Sequence, residues 1–172
     1  MPSTALHIEV PGEPVGKGRP RFARIGRKAV RAFTPAKTKE YEAKVALFAM
    51  SRRKGKPLDG PVHVRVVAVF KRPKRLMRKK DPDGLLWHET KPDLDNVIKA
   101  AIDGLNGVAF HDDKQVVSIT GMSYYCEKTN DPRTVITVTA VPPTPNQTRQ
   151  DDEDMAPSPA RACASSSNGT MD

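Results

Sequence analysis

Between Lys91 and Val116 the chain reads KPDLDNVIKAAIDGLNGVAFHDDKQV, and the spacing of its apolar residues admits few structures. Leu94, Val97, Ile98, Ala101, Ile102 and Leu105 recur at intervals of three and four, which predicts a helix with one buried stripe. Asp93, directly after Pro92, stands at the N-cap position, and Asn106-Gly107 supplies a helix stop. Asp95, Lys99 and Asp103 follow at i, i+4 and i+8 on the face turned from the core. Asp112 and Asp113 fall in a turn before the next strand, so a helix–loop–strand unit would bring them back beside the helix start.

The rest of the chain supplies the surface that such a helix needs. Leu6 to Val10 reads as a short strand ending at Pro11, and Gly16 to Phe33 as a basic loop or loose hairpin. After Thr34-Pro35, the residues Tyr41, Val45, Leu47, Phe48 and Met50 suggest a second amphipathic helix. PVHVRVVAVF, Pro61 to Phe70, is β-branched and bounded by Gly60 and Pro73, which marks a strand. A long basic loop follows it, through DPDGLLWHET. Two more strands are expected at about Gln115 to Glu127 and Arg133 to Ala140. Strands and helices mixed without a regular βαβ repeat predict an α+β fold. From Pro142 onward Pro, Ser, Thr, Asn and Asp dominate and no large apolar run occurs. The expected organisation is one domain over residues 1–141 and a disordered tail over 142–172.

Charge divides the chain further. Pro11 to Lys80 holds 22 Lys and Arg against four acids, a balance of +18, while the remainder stands at −9 and the whole at +9. The clusters GKGRPRFARIGRKAVR, RRKGK and KRPKRLMRKK have the density of a surface that neutralises phosphates. Lys17, Arg19 and Arg21 are candidate DNA contacts. No apolar run approaches the roughly 20 residues of a membrane span. The N-terminus also lacks the apolar core of a signal peptide, so a soluble, cytoplasmic protein is expected. Cys126 and Cys163 make neither a disulfide framework nor a zinc pattern, and the four scattered histidines make no zinc site. GEPVGKG is one residue short of a P-loop and carries Gly18 where Ser or Thr is required, so no nucleotide cofactor is expected.

Carboxylates therefore remain as the plausible metal ligands. Mg²⁺ prefers oxygen donors and keeps several waters, so two or three aspartates on a rigid frame are a typical protein share. Such ions activate water and stabilise the leaving oxygen in phosphodiester hydrolysis, and a nearby lysine offsets charge on the phosphate. Asp93, Asp95, Asp113 and Lys99 supply those parts. The same aspartates also fit a helix cap and an ordinary turn, and these residues alone leave both readings open.

The whole stretch resembles the signature of the RusA family of Holliday-junction resolvases, (K/R)-P-D-x-D-N-x-x-K-x-x-x-D-x-L-N-G followed by D-D-x-Q-V. GEPVGKGRPRF and TPAKTKEYE look like segments of its phage-type members, and the similarity extends over most of Leu6 to Ala140. The resemblance implies a small mixed sheet packed against two main helices, in a homodimer that cuts four-way DNA junctions symmetrically in recombination and repair. It implies Mg²⁺ as cofactor, with Mn²⁺ able to substitute, in a bacterial or phage-infected cell. By motif position Asp93, Asp95 and Asp113 match the metal ligands and Lys99 the essential lysine, while Lys91 joins Lys17, Arg19 and Arg21 as a DNA contact. This chain has Pro92 where some members carry arginine, so no arginine is assigned there.

Two other readings carry their own expectations. A non-catalytic DNA- or RNA-binding module would use the aspartates only as caps, and a related nuclease would prefer flaps or forks. Trp87 and Phe22, both expected in loops, either stack on unpaired bases or anchor those loops.

Overall fold

The β-branched run becomes β4 (Val62–Phe70), and its alternate residues Val62, Val64, Val66 and Ala68 are fully buried. It lies at the middle of a five-stranded sheet. On one side it pairs antiparallel with β7 (Arg133–Ala140), which pairs in turn with β1 (Thr4–Pro11). On the other it pairs parallel with β6 (Val116–Tyr125), whose last residues pair with the two-residue β5 (Leu86–Trp87). A separate hairpin joins β2 (Arg21–Ile25) and β3 (Ala29–Phe33). The computed structural model describes residues 4–19, 21–25 and 29–142, and over 4–5, 21–25 and 29–33 it describes the backbone. These elements lie in the unit Met1–Pro142. The tail expected over 142–172 lies, beyond Pro142, outside the described residues.

Parallel strands need a long crossover, and the connection from β4 to β6 contains α2 (Leu94–Leu105). The sheet is otherwise antiparallel, so the fold is α+β as expected: a mixed sheet with two main helices, α1 (Ala36–Arg52) and α2. Both helices cover one sheet face. Leu6, Ile8 and Val10 of β1, Val62, Val64 and Val66 of β4, and Ile136 and Val138 of β7 share one buried cluster with Tyr41, Val45, Ala101 and Leu105. The two faces differ because successive strand residues alternate.

The predicted stripe of α2 holds at Val97, Ala101, Ile102 and Leu105, with Ala100 and Gly104 also buried. Leu94 and Ile98 are half-buried. In α1 the expectation needs correction. Its buried residues are Thr38, Tyr41, Val45 and Ala49, while Leu47 and Met50 are 64% and 61% exposed. At 100° per residue Leu47 and Met50 point away from Val45, so helical geometry overrules their hydrophobicity. Small Ala49 faces the core in their place.

Two glycines set how closely α2 approaches its neighbours. A Cβ at Gly104 would stand 2.7 Å from the Glu42 carbonyl oxygen and 2.8 Å from Val45 Cβ on α1. A Cβ at Gly121 of β6 would meet Ile98 Cδ1 at 2.5 Å. Helix propensity alone favours alanine over glycine by about 1 kcal/mol. Gly104→Ala is nevertheless expected to destabilise the protein, by about 1–2 kcal/mol, because the added methyl meets backbone that cannot yield. Urea unfolding measures this, and a stabilised variant would contradict the close helix contact.

Candidate active site

Asp93 occupies the N-cap position of α2 with extended backbone, and its carbonyl accepts from the amides of Asn96 and Val97. Its side chain makes no capping hydrogen bond, so the carboxylate is not consumed by the helix. Asp95 sits in the first turn, where the helix dipole favours a negative charge. Lys99 lies one turn on, with Nζ 3.5 Å from Asp95 Oδ2 and both side chains 64% exposed. Exposed pairs of this kind contribute about 0–1 kcal/mol, which leaves Lys99 free to exchange its partner.

The N-terminal segment crosses the start of this helix. The Lys17 amide donates to the Asn96 carbonyl at 2.8 Å, and a Cβ at Gly16 would stand 2.9 Å from Pro92 Cβ. Only glycine permits that approach. The amide of Gly18 donates to the buried Thr38 hydroxyl at 3.2 Å, which ties the same segment to α1. Between segment and helix opens a cleft of about 650 Å³ lined by Gly16, Lys17, Arg19, Lys91, Pro92, Asp93 and Asn96. Three of the four predicted DNA-contact residues thus share one cleft with Asp93, and all three are exposed. The side chain of the fourth, Arg21, lies outside the described residues.

A second acidic group forms around Asp103. Lys17 Nζ is ion-paired with its carboxylate, and Glu42 of α1 stands near enough to feel its charge. Burial first, and the Asp103 charge next, raise the Glu42 carboxyl above its ordinary value. Asp112 caps a short 3-10 turn, Asp113–Gln115, by accepting from the Lys114 amide at 3.1 Å. That amide holds the Asp112 carboxyl low, whereas the hydrogen bond with Asp112 raises Asp113, helped by the charges of Asp112 and Asp103. Asp113 therefore feels the third turn of α2. Among the described residues no three acidic or histidine side chains stand close enough to hold one ion, so Asp93, Asp95 and Asp113 are not gathered into a single cluster.

Gln115 fixes the turn that carries Asp113. Its Oε1 accepts from the amides of His111 and Asp112 at 2.7 and 3.0 Å, and its Nε2 donates to the carbonyls of Leu58 and Gly60 at 2.9 and 2.8 Å. Sequence reading passed over this residue although DDKQV contains it; the signal was Gln three places after a capping Asp. It also passed over Glu42, which lay among the surface charges of α1 with nothing to distinguish it. Arg72 corrects another expectation. Placed by sequence in a phosphate-neutralising cluster, it is 5% exposed and donates to the carbonyls of Cys126, Pro82 and Gly84.

A family model described as endodeoxyribonuclease RusA matches residues 11–139. The chain belongs to this family. It is also 37% identical over 128 residues to a Bacillus subtilis (strain 168) protein named as uncharacterized protein YqaN, across 72% of this chain and 89% of the relative. The match spans the cleft, α2 and the Asp113 turn, so the site belongs to the region shared with endodeoxyribonucleases, enzymes that hydrolyse DNA.

The raised Glu42 carboxyl has a defined consequence for stability. A carboxyl whose folded value exceeds its unfolded one binds its proton more tightly when folded, so stability falls as pH climbs from 4.5 through the raised value. Glu42→Gln removes that loss. Relative to the wild type the variant should gain stability progressively above pH 4.5, read as a growing difference in urea midpoint between the two proteins.

Proposed function

We propose that this endodeoxyribonuclease resolves four-way DNA junctions with Mg²⁺, cutting two strands symmetrically as a homodimer. The observation that carries the reading is the cleft at the start of α2, where Lys17, Arg19 and Lys91 surround the uncapped Asp93. A basic cleft attracts the backbone phosphates, and a carboxylate inside it would repel them unless it held a cation.

The donor chemistry fits Mg²⁺. This ion is commonly held by one or two carboxylates together with substrate phosphates, so it does not require three acids assembled beforehand. Asp93 and Asp95, with Asp113, would hold it, and Mn²⁺, which takes similar oxygen donors, would substitute. When bound, such an ion lowers the pKa of a water for attack and neutralises charge on the leaving oxygen. The chain's own share is positioning. Lys17, Arg19, Arg21 and Lys91 bind and orient the backbone, and Lys99, released from Asp95, offsets charge that develops on the phosphate.

A junction needs two matched incisions, and a two-fold dimer presents two equal sites. No helix among the described residues is long and apolar enough to cross a membrane, which accords with work on DNA in the cytoplasm of a bacterial or phage-infected cell.

The test compares a synthetic four-way junction with a matched linear duplex, each with Mg²⁺, Mn²⁺ or EDTA. Paired symmetric nicks in the junction alone are expected, reduced about a hundredfold or more in Asp95→Asn while binding persists. Lys17→Ala should weaken binding to all sequences alike and lower the salt slope by about one. Cleavage of flaps or forks in preference to the junction would reassign the substrate, and binding without cleavage under any metal would leave a nucleic-acid-binding module.

A further inference from the structure

Trp87 is the chain's one tryptophan, and 66% of its surface is open to solvent. A single exposed apolar side chain is ordinary on a protein surface. This one differs in how firmly it is held. β5 pairs with Tyr124 and Tyr125, and the Trp87 ring stacks on Tyr124 with centroids 4.7 Å apart and planes at 27°. On the next residue His88 stacks on Phe70 at 3.9 Å and meets Tyr125 edge-on at 4.9 Å. The Thr90 hydroxyl adds bonds to the His88 ring and the Tyr125 hydroxyl. Trp87 is therefore a flat ring with a fixed orientation, supported from one side.

The loop that leads to it carries an unusual charge arrangement. Arg72 pins its two ends together by donating to the carbonyls of Cys126, Pro82 and Gly84. The acids of the loop are engaged: Asp83 pairs with Lys128 at 2.8 Å, and Asp81 accepts from the Arg78 amide at 2.8 Å. Lys74, Arg75, Arg78, Lys79 and Lys80 are exposed and have no carboxylate partner among the described residues.

We infer that the open face of Trp87 is a stacking site for an unpaired nucleobase of DNA, with the cations of the neighbouring loop holding the phosphates on either side. Stacking on a preformed ring costs little ordering and accepts any base, because every base offers a π-face. Trp87 and Asp93 are six positions apart, so the platform lies within about 20 Å of the cleft. At a branch point, where stacking is interrupted, a base leaves the duplex at lower cost than within a continuous helix. The inference rests on the reading of this protein as one that acts on DNA and names what that site takes besides duplex backbone.

Because there is one tryptophan, fluorescence excited at the red edge of its absorption, where Tyr41, Tyr124 and Tyr125 do not absorb, reports on this ring alone. The full chain in EDTA is titrated with a thymine oligonucleotide of about twelve nucleotides, and separately with a duplex, while anisotropy of labelled strands measures binding in parallel. The single strand should quench Trp87, and the duplex should quench it far less. Trp87→Phe should keep single-strand affinity, and Trp87→Ala should lose about tenfold while duplex affinity is little changed. Single-strand binding with unchanged fluorescence overturns the platform and leaves the nuclease reading intact. A drop in the sedimenting mass of Trp87→Ala, together with no quenching of the wild-type ring by DNA, assigns the ring to a protein contact and overturns it too. Failure of the chain to bind any DNA removes both readings.

Discussion

Two positions without a side chain, Gly104 and Gly121, decide how near α2 comes to α1 and to β6, and the placement of the candidate residues carried by α2 follows from that approach. The glycine on the helix lets α1 backbone touch it, which brings Glu42 to Asp103. The glycine on the strand lets Ile98 and Leu94 settle over β6, so the first turn of α2 rests against the sheet. Asp93, which lines the cleft, and Asp95 two residues on are then fixed by core packing, and no local hydrogen bond of the Asp93 carboxylate is needed to place it. A third glycine, Gly16, completes the arrangement by letting the basic segment lie against Pro92 and Asn96. Close backbone approach is thus used three times around one helix.

The electrostatics of this helix are provisional in a physical sense. A chain of net charge +9 holds two aspartates of α2 in contact with its own lysines, Lys17 on Asp103 and Lys99 on Asp95. These side chains are a third to two-thirds exposed, so each pair is shallow in energy and readily exchanged for a phosphate. Before DNA arrives the lysines shield the acids from one another. On the proposed reading a polyanion entering the cleft would offer the lysines a stronger partner and leave the acids to attract a cation. The same charges would then serve stability in one state and substrate in the other.

Much of this was legible in the chain itself, for reasons that differ by element. The α2 stripe was readable because six apolar residues keep helical phase, and β4 because β-branched residues run between a glycine and a proline. The α1 face was misassigned since Leu47 and Met50 are apolar yet out of phase with Tyr41 and Val45. The parallel pairing of β4 with β6 joins residues more than fifty apart, and no local pattern carries it. The acidic side chains on α2 were identified as candidates from their spacing, but the company of Asp103 was not, because Lys17 and Glu42 arrive from distant segments. Arg72 looks like its neighbours in a basic run, and only the carbonyls of Cys126, Pro82 and Gly84 separate it from them.

Alternation along β6 links the two ends of the proposed substrate path. Tyr125 packs with Phe70 and Val97 on the helix-covered side, so its neighbour Tyr124, and Trp87 opposite it, face the other side. The chain from Trp87 to Asp93 consequently passes around the edge of the sheet. A strand lying in the basic cleft and a base stacked on Trp87 would therefore be connected around this edge rather than across the sheet face. Straight duplex is stiff over such distances and resists that path, whereas DNA with a branch or an unpaired stretch follows it at low cost. On the proposed reading, selection of a substrate by its shape would need no contact with a base edge along this path.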